Sequence, residues 1–191
     1  MRFDIILPTV NRPSLELAIK SIYAQRHTDW MLYVVGDGVT PNYEETDSGK
    51  IMLVSMECTN NSGASQRNFG INLGTSPWIA YLDDDDVWMP DHLSTIVELA
   101  QQNPNANMFK TGAQEMVRTR KSPRHPKNEM KLRCINLDDP LTITIAHSRD
   151  LFLKTSRWQP VDNHDHLLFK EMLSVGGVLA KSDNITALYL R

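Results

Sequence analysis

Trp78-Ile79-Ala80-Tyr81-Leu82-Asp83-Asp84-Asp85-Asp86-Val87-Trp88-Met89-Pro90 carries a strand-like apolar segment straight into four consecutive aspartates. An acidic run is often only a solvated loop. This one leaves a strand at once and returns to an apolar segment at Val87-Trp88. Carboxylates packed together repel one another and raise each other's pKa unless a cation joins them. Mg2+ or Mn2+ takes carboxylate oxygens and keeps positions free for phosphate. The residue types therefore suggest a metal site that holds a phosphorylated ligand.

Working back toward the N-terminus, strand-like and helix-like segments alternate. Phe3-Asp4-Ile5-Ile6-Leu7 reads as a strand that ends at Pro8, which has no N–H for a ladder. Arg12-Pro13-Ser14 opens a helix, and Leu15, Ala18, Ile19 and Ile22 form its apolar stripe. Trp30 to Val35 is a second strand, closed by Gly36-Asp37-Gly38, and Ile51 to Met56 is a third. Gln66 to Leu73 reads as a helix with Phe69 and Leu73 on one face, Trp78 to Leu82 as a fourth strand and Asp91 to Gln102 as a helix. Such alternation predicts parallel pairing and right-handed crossovers, with ligands at the carboxyl ends of the strands. Thr9, Asn11 and Arg12, then Asp37, then Asp83 to Asp86 are expected to gather on one edge.

The second half has a weaker pattern. Arg118 to Arg133 contains seven Lys or Arg, two Pro and one Glu without a clear period, and reads as a mobile loop with room for a short helix near its end. It fits a solvated surface or a flap that closes over a diphosphate or guides an anionic acceptor. Leu141 to Ala146 reads as a strand, and Asp165 to Leu173 as a helix with Leu168, Phe169 and Leu173 inward. Ile185 to Leu190 reads as a last edge strand.

The 191 residues are 41% hydrophobic and 23% charged, an ordinary globular balance with room for one substantial core. The longest apolar run, Trp30 to Val35, is six residues, far short of a membrane span. Met1-Arg2-Phe3-Asp4 does not read as a signal peptide. A net charge of -3 argues against a dedicated nucleic-acid binder. Cys58 and Cys134 lie too far apart for zinc spacing or a disulfide framework and read as buried free thiols. The expectation is a soluble, cytoplasmic chain with no integral membrane segment.

Four segments occur together in order: Ile6-Leu7-Pro8-Thr9-Val10-Asn11-Arg12; Val35-Gly36-Asp37-Gly38; Gly63-Ala64-Ser65-Gln66-Arg67-Asn68-Phe69-Gly70; and Tyr81-Leu82-Asp83-Asp84-Asp85-Asp86-Val87-Trp88. In this order and spacing the chain resembles family 2 glycosyltransferases. Val87-Trp88-Met89-Pro90-Asp91-His92-Leu93 is similar to the small spore-coat polysaccharide type of that family. The resemblance covers residues 3 to 100 well and the rest loosely.

It implies the nucleotide-diphospho-sugar transferase fold called GT-A, an α/β fold with a mostly parallel central sheet flanked by helices. Residues 1–191 would form one GT-A domain, with 1–100 the nucleotide-sugar-binding half and 101–191 the acceptor-binding half. Pro8, Thr9 and Arg12 match the end of the first strand, where members contact the donor nucleotide. Asp37 matches the aspartate that hydrogen-bonds uracil, and Arg67 the arginine near base and diphosphate. Asp83 to Asp86 match the DXD-type motif, with Asp85 the best match to the metal ligand and Asp84 to the ribose contact. Asp83 or Asp86 can share these roles, since the register is open by one. Many members carry two acids after the second strand, whereas Gly36 here leaves Asp37 alone. His147 matches a position near the metal or diphosphate. Structural roles fit some of these residues equally well: a helix cap for Thr9, a turn for Asp37, a surface position for Arg67 and packing for His147.

An acceptor hydroxyl must lose a proton as it attacks the anomeric carbon, and a nearby carboxylate suits this. In Pro160-Val161-Asp162-Asn163-His164-Asp165-His166-Leu167 the resemblance makes Asp165 the base. Asp162, His164 and His166 are further candidates, and an aspartate at a helix start is also a common cap. Trp88 and Trp158 fit either a sugar platform or simple packing.

The reading is an inverting glycosyltransferase that uses Mn2+ or Mg2+ in polysaccharide biosynthesis. It would move a sugar from a nucleotide-sugar donor, expected to be a UDP-sugar, to a glycan, glycolipid or glycoprotein acceptor. The alternatives are a nucleotidyltransferase, which usually opens on a Gly-rich loop absent from Leu7 to Pro13, and a non-catalytic nucleotide- or sugar-binding protein.

Overall fold

The computed structural model describes residues 1–44, 49–118, 130–135 and 140–190. Its first half alternates as expected: β1 (Phe3–Thr9), α1 (Leu15–Tyr23), β2 (Trp30–Asp37), β3 (Ile51–Met56), α2 (Ala64–Leu73) and β4 (Trp78–Tyr81). There follow β5 (Asp86–Trp88), α3 (His92–Gln102), β6 (Met108–Arg118) and β7 (Met130–Cys134). A 3₁₀ turn (Thr142–Thr144), β8 (Ile145–Ser148), α4 (Arg149–Phe152), α5 (His164–Ser174) and β9 (Leu179–Leu190) complete the described elements. The sheet runs β3-β2-β1-β4-β8-β6-β9-β5, with β7 added on β6. β3, β2, β1 and β4 are mutually parallel, whereas β8 joins β4 antiparallel and makes the sheet mixed from there on.

Helices cover both faces, which is why every residue of β1 is buried. Phe3, Ile5 and Leu7 pack with Leu15, Ile19 and Ile22 of α1 and with Leu93 and Ile96 of α3. Ile6 points the other way, toward Ala64 and Ile71 of α2 and Leu168 and Met172 of α5. Gly70 lets α2 lie close to the sheet, because a Cβ there would come within 2.8 Å of the Ile6 side chain. Behind the site, Asp4 is buried and accepts hydrogen bonds from Ser76 N (2.8 Å), Ser76 Oγ (2.6 Å) and Arg149 Nη2 (2.5 Å). Arg149 also donates to the carbonyls of Ser76 (2.8 Å) and Ile71 (2.6 Å), tying α4 to the start of β1 and the end of α2.

Several expectations are corrected, among them the burial of the two thiols: Cys58 and Cys134 are both exposed. β1 continues through Pro8 to Thr9, since its ladder with β4 ends at Ile6 and Pro8 pairs on the β2 side alone. Leu141 to Ala146 is not one strand: the Thr144 hydroxyl donates to Leu141 O (2.8 Å) and closes a 3₁₀ turn before β8 begins. β9 is longer than expected and interior, parallel to β6 and antiparallel to β5. α2 turns Gln66 and Arg67 inward while Leu73 is exposed, and α5 buries Met172 in place of Leu173. Much of the basic stretch from Arg118 to Arg133 lies outside the described residues, and its end is no helix but β7, paired antiparallel with β6.

Candidate active site

The carboxyl ends of β1, β2 and β4 meet at an open cleft of about 430 Å³. That volume is in the range of small-molecule sites. Pro8, Thr9, Arg12, Asp37, Arg67, Asp83, Asp84 and Asp85 all line it. These eight come from four separate stretches of sequence, and parallel β1, β2 and β4 bring three of those stretches to one edge.

The turn after β4 is held from two sides. Asp84 is buried and accepts from Thr9 Oγ1 (2.7 Å), Val10 N (3.1 Å) and Arg12 Nη1 (2.5 Å). The Asp84 carboxylate lifts the Arg12 guanidinium above its ordinary range. Thr9 Oγ1 in turn accepts from Asn11 N (2.8 Å), so Thr9 ties the end of β1 to the acidic turn and is not a cap of α1, whose N-cap is Ser14. On the other side Arg67, also buried, donates to Asp83 and to Ser62 O (2.8 Å). Its ring-stacking partner is Trp158, at 4.9 Å. Arg67 is thus not a surface residue.

Asp85 is the half-exposed member of the run, and its nearest cation is Arg12 Nε at 3.6 Å. Burial raises its carboxyl above the usual aspartate range, with Arg12 opposing and Asp83 and Asp84 adding to the rise. Among the described residues no cluster of three or more His, Cys, Asp or Glu forms a complete cage. One or two carboxylates beside a phosphate-sized cleft is the donor set through which Mg2+-like ions are commonly held, the phosphates supplying the remaining oxygens. Asp85 fits such an ion.

Asp37 closes the other end of the cleft. Its Oδ1 accepts from Thr59 N (2.6 Å) and Thr59 Oγ1 (3.1 Å), and its Oδ2 from Asn60 N (3.2 Å). Gln66 Nε2 reaches Thr59 Oγ1 (3.1 Å), so α2 braces the same loop. Oδ2 carries a single bond and keeps acceptor capacity.

Asn11 is not among the residues that line the cleft, and two of the candidates for the metal, Asp86 and His147, do not join it. Asp86 starts β5 with its side chain turned inward, where Oδ1 accepts from Leu190 N at 3.0 Å. Asp85 precedes β5 in the turn and is partly exposed, whereas Asp86 is buried. Burial, with Asp83 adding, raises its carboxyl to about 8. A carboxyl raised on folding favours the folded state less as pH climbs from its unfolded value to its folded value. The stability gap between the Asp86→Asn variant and the parent chain is therefore expected to widen from about pH 4 to about pH 8 and then level off. Thermal melts across that range check this. His147 lies inside β8, fully buried, with Nε2 2.7 Å from Tyr81 Oη and Nδ1 3.0 Å from Ser148 O. Burial lowers its pKa to about 4, so it is neutral at physiological pH.

Asp165 stands in the first turn of α5, beside a small internal cavity shared with Tyr81, His147 and Trp158 rather than on the cleft wall itself. Its Oδ1 accepts from His166 N at 2.9 Å. The link between this helix and the cleft is its neighbour His164, whose Nε2 is 3.4 Å from Arg67 Nη1. Asp162 and His166 border a separate open groove with Lys170. Trp88 and Trp158 are both packed: Trp88 donates to Ile143 O (2.9 Å) and stacks on His92, and Trp158 meets Tyr81 edge-on. Sequence reasoning missed Asn60, Ser62, Gly63 and Tyr189 on the cleft wall. The signal for the first three was the turn before α2, where Asn60, Ser62 and Gly63 all take positive φ.

Residues 4–156 match the model of glycosyl transferase family 2. The chain belongs to glycosyl transferase family 2. Among curated relatives within this family range, the putative colanic acid biosynthesis glycosyl transferase WcaA of Escherichia coli is 35% identical over 106 residues, covering 52% of this chain and 38% of that protein. The glucosyl-dolichyl phosphate glucuronosyltransferase of Haloferax volcanii is 33% identical over 113 residues, 56% of this chain and 36% of the relative. The chain spans about a third to a half of the length of the curated relatives it matches. In fold, it resembles S. aureus TarS 1-349 in complex with UDP (TM-score 0.74, 15% identity, 100% of this chain and 61% of the other). It also resembles the mannosyltransferase PcManGT from Pyrobaculum calidifontis in complex with GDP-Man and Mn2+ (TM-score 0.66, 16% identity, 100% and 56%). The GT-A-like α/β fold of a family 2 glycosyltransferase is what these likenesses and the mixed sheet establish.

Proposed function

We propose that this chain transfers a sugar from a UDP-sugar to an acceptor hydroxyl with inversion at the anomeric carbon, using Mn2+ or Mg2+. The observation that carries the reading is the convergence of Asp37, Arg67, Arg12 and Asp83 to Asp85 on one cleft. Asp37 Oδ2 has acceptor capacity for a base N–H at one end. Arg67 presents a fixed guanidinium suited to charge-assisted bonds with a diphosphate. Asp84 orients Arg12 and the turn that carries Asp85. Asp85 would hold the cation, which when bound neutralises the charge growing on the departing diphosphate. Asp165 would take the acceptor proton as the hydroxyl attacks from the face opposite the leaving group. A single base and direct displacement give inversion, by the same logic that relates carboxylate placement to outcome in glycoside hydrolysis.

Residues 1–100 would bind the donor and 101–191 the acceptor, a glycan, glycolipid or glycoprotein in polysaccharide biosynthesis on the cytoplasmic side. No helix among the described residues is long and apolar enough to cross a membrane.

Calorimetry with UDP-, GDP- and dTDP-sugars, with and without Mn2+, tests the reading. UDP-sugars are expected to bind most tightly, and Mn2+ to tighten them. The Asp85→Ala variant is expected to lose that Mn2+-dependent gain, at least roughly tenfold for a ligand–metal–phosphate contact. Unaltered UDP affinity in an Asp37→Ala variant would remove the assignment of Asp37. Binding without turnover in any acceptor screen would favour a non-catalytic binder.

A further inference from the structure

His164 is the point where the two halves of the site touch. Its Nδ1 lies 3.2 Å from the Val161 carbonyl, which can only accept, so Nδ1 carries the proton. Nε2 is then a lone-pair acceptor, and it faces Arg67 Nη1 at 3.4 Å. The same Arg67 nitrogen donates to Ser62 O, and the other terminal nitrogen donates to Asp83. Arg67 Nε has no hydrogen-bond partner among the described residues. Trp158 backs the pair, 4.9 Å from the Arg67 guanidinium and edge-on to the His164 ring at 5.2 Å. Asn68, next to Arg67, fixes Trp158 by two reciprocal backbone bonds: Nδ2 to Trp158 O (2.8 Å) and Trp158 N to Oδ1 (3.1 Å).

We infer that His164, as a neutral Nδ1–H imidazole, is a positioning residue that holds the Arg67 guanidinium in place for a nucleoside diphosphate and couples the donor cleft to the start of α5. The inference rests on the reading of the cleft as a nucleotide-sugar site. Three acceptors, Asp83, Ser62 O and His164 Nε2, fix the plane of the guanidinium, and Trp158 covers one face. A guanidinium fixed in advance loses less freedom on meeting phosphate oxygens. Burial and the neighbouring Arg67 lower the imidazole's pKa, with Asp165 and Asp83 opposing, which agrees with a neutral ring. Asp165 follows His164 in the chain, so any shift of α5 is transmitted to Arg67 and back.

The test has two arms. Nitrogen NMR of the His164 ring in the full chain without ligand is expected to show the Nδ1–H tautomer, and the Nε2–H tautomer or a charged ring near pH 7.5 overturns the inference. In the second arm, UDP with Mn2+ is titrated into the parent chain and the His164→Leu and His164→Gln variants. Loss of one hydrogen bond predicts that His164→Leu weakens UDP roughly three- to tenfold. His164→Gln, whose amide oxygen reaches near the Nε2 position, is expected to recover most of it. The KM for donor should follow Kd while the KM for acceptor stays unchanged. Unaltered UDP affinity in His164→Leu, or a His164→Gln variant as weak as His164→Leu, overturns the inference. A parent chain that binds no UDP fails in the unsubstituted protein, and so overturns the donor reading and the inference together.

Discussion

Replacing Asp165 with asparagine is expected to lower transfer by about 10²- to 10⁴-fold, the range supplied by a positioned general base. Asparagine keeps the shape and the Oδ1 that accepts from His166 N, so the first turn of α5 should survive. It cannot take a proton from the acceptor. UDP affinity should change little, because Asp165 is not on the wall of the 430 Å³ cleft. Steady-state rates and UDP calorimetry on the same preparation separate the two effects. Full activity in Asp165→Asn would move the role to another group, and Asp162, His164 and His166 would then be substituted in turn. A parallel fall in UDP binding would mean that Asp165 acts on the donor site through His164 and Arg67 and not as the base.

The second large effect is on stability. Asp4→Ala is expected to cost about 3–5 kcal/mol, the usual penalty for removing one partner of a buried ion pair. Arg149 would lose its carboxylate while its other nitrogens stay committed to the Ser76 and Ile71 carbonyls. Ser76 would lose acceptors for both its backbone N–H and its hydroxyl. Urea unfolding gives the loss directly. Substituting Asp4 and Arg149 together by apolar residues should cost less than Asp4→Ala alone, since no charge is then stranded. A loss below about 1 kcal/mol in Asp4→Ala would show that water reaches the pair and screens it.

The half of the fold that sets the cleft was legible because its strands and helices obey different periods. Phe3 to Leu7, Trp30 to Val35 and Trp78 to Leu82 are apolar runs of strand length, and Leu15, Ala18, Ile19 and Ile22 sit at helical spacing. Strand ends then carried the site: Thr9 and Asp37 close β1 and β2, Asp83 lies just past β4, and parallel pairing aligns the three ends. β6 was not legible, because its buried residues include Lys110, Thr111 and Glu115, whose polarity hides an interior strand. The inward face of α2 was misread for a related reason. Gln66 and Arg67 are buried by their hydrogen bonds to Thr59 and Asp83, while the apolar Leu73 is left outside. A run of four aspartates cannot announce which member turns inward. That depends on where β5 begins, and β5 exists only because β9 pairs with it.

That last pairing has a consequence for how the protein is made. Asp86 is 104 positions from Leu190, whose N–H it accepts. Ribosomal synthesis is vectorial, so the acidic turn emerges long before the strand that steadies its far side. The parallel core of β1, β2, β3 and β4 can assemble early, yet the rim beside Asp85 must wait for residues 179–190 to arrive. Contacts of such separation are slow to close. A nascent chain released too soon would own a nearly finished crevice with one bank still unbuilt.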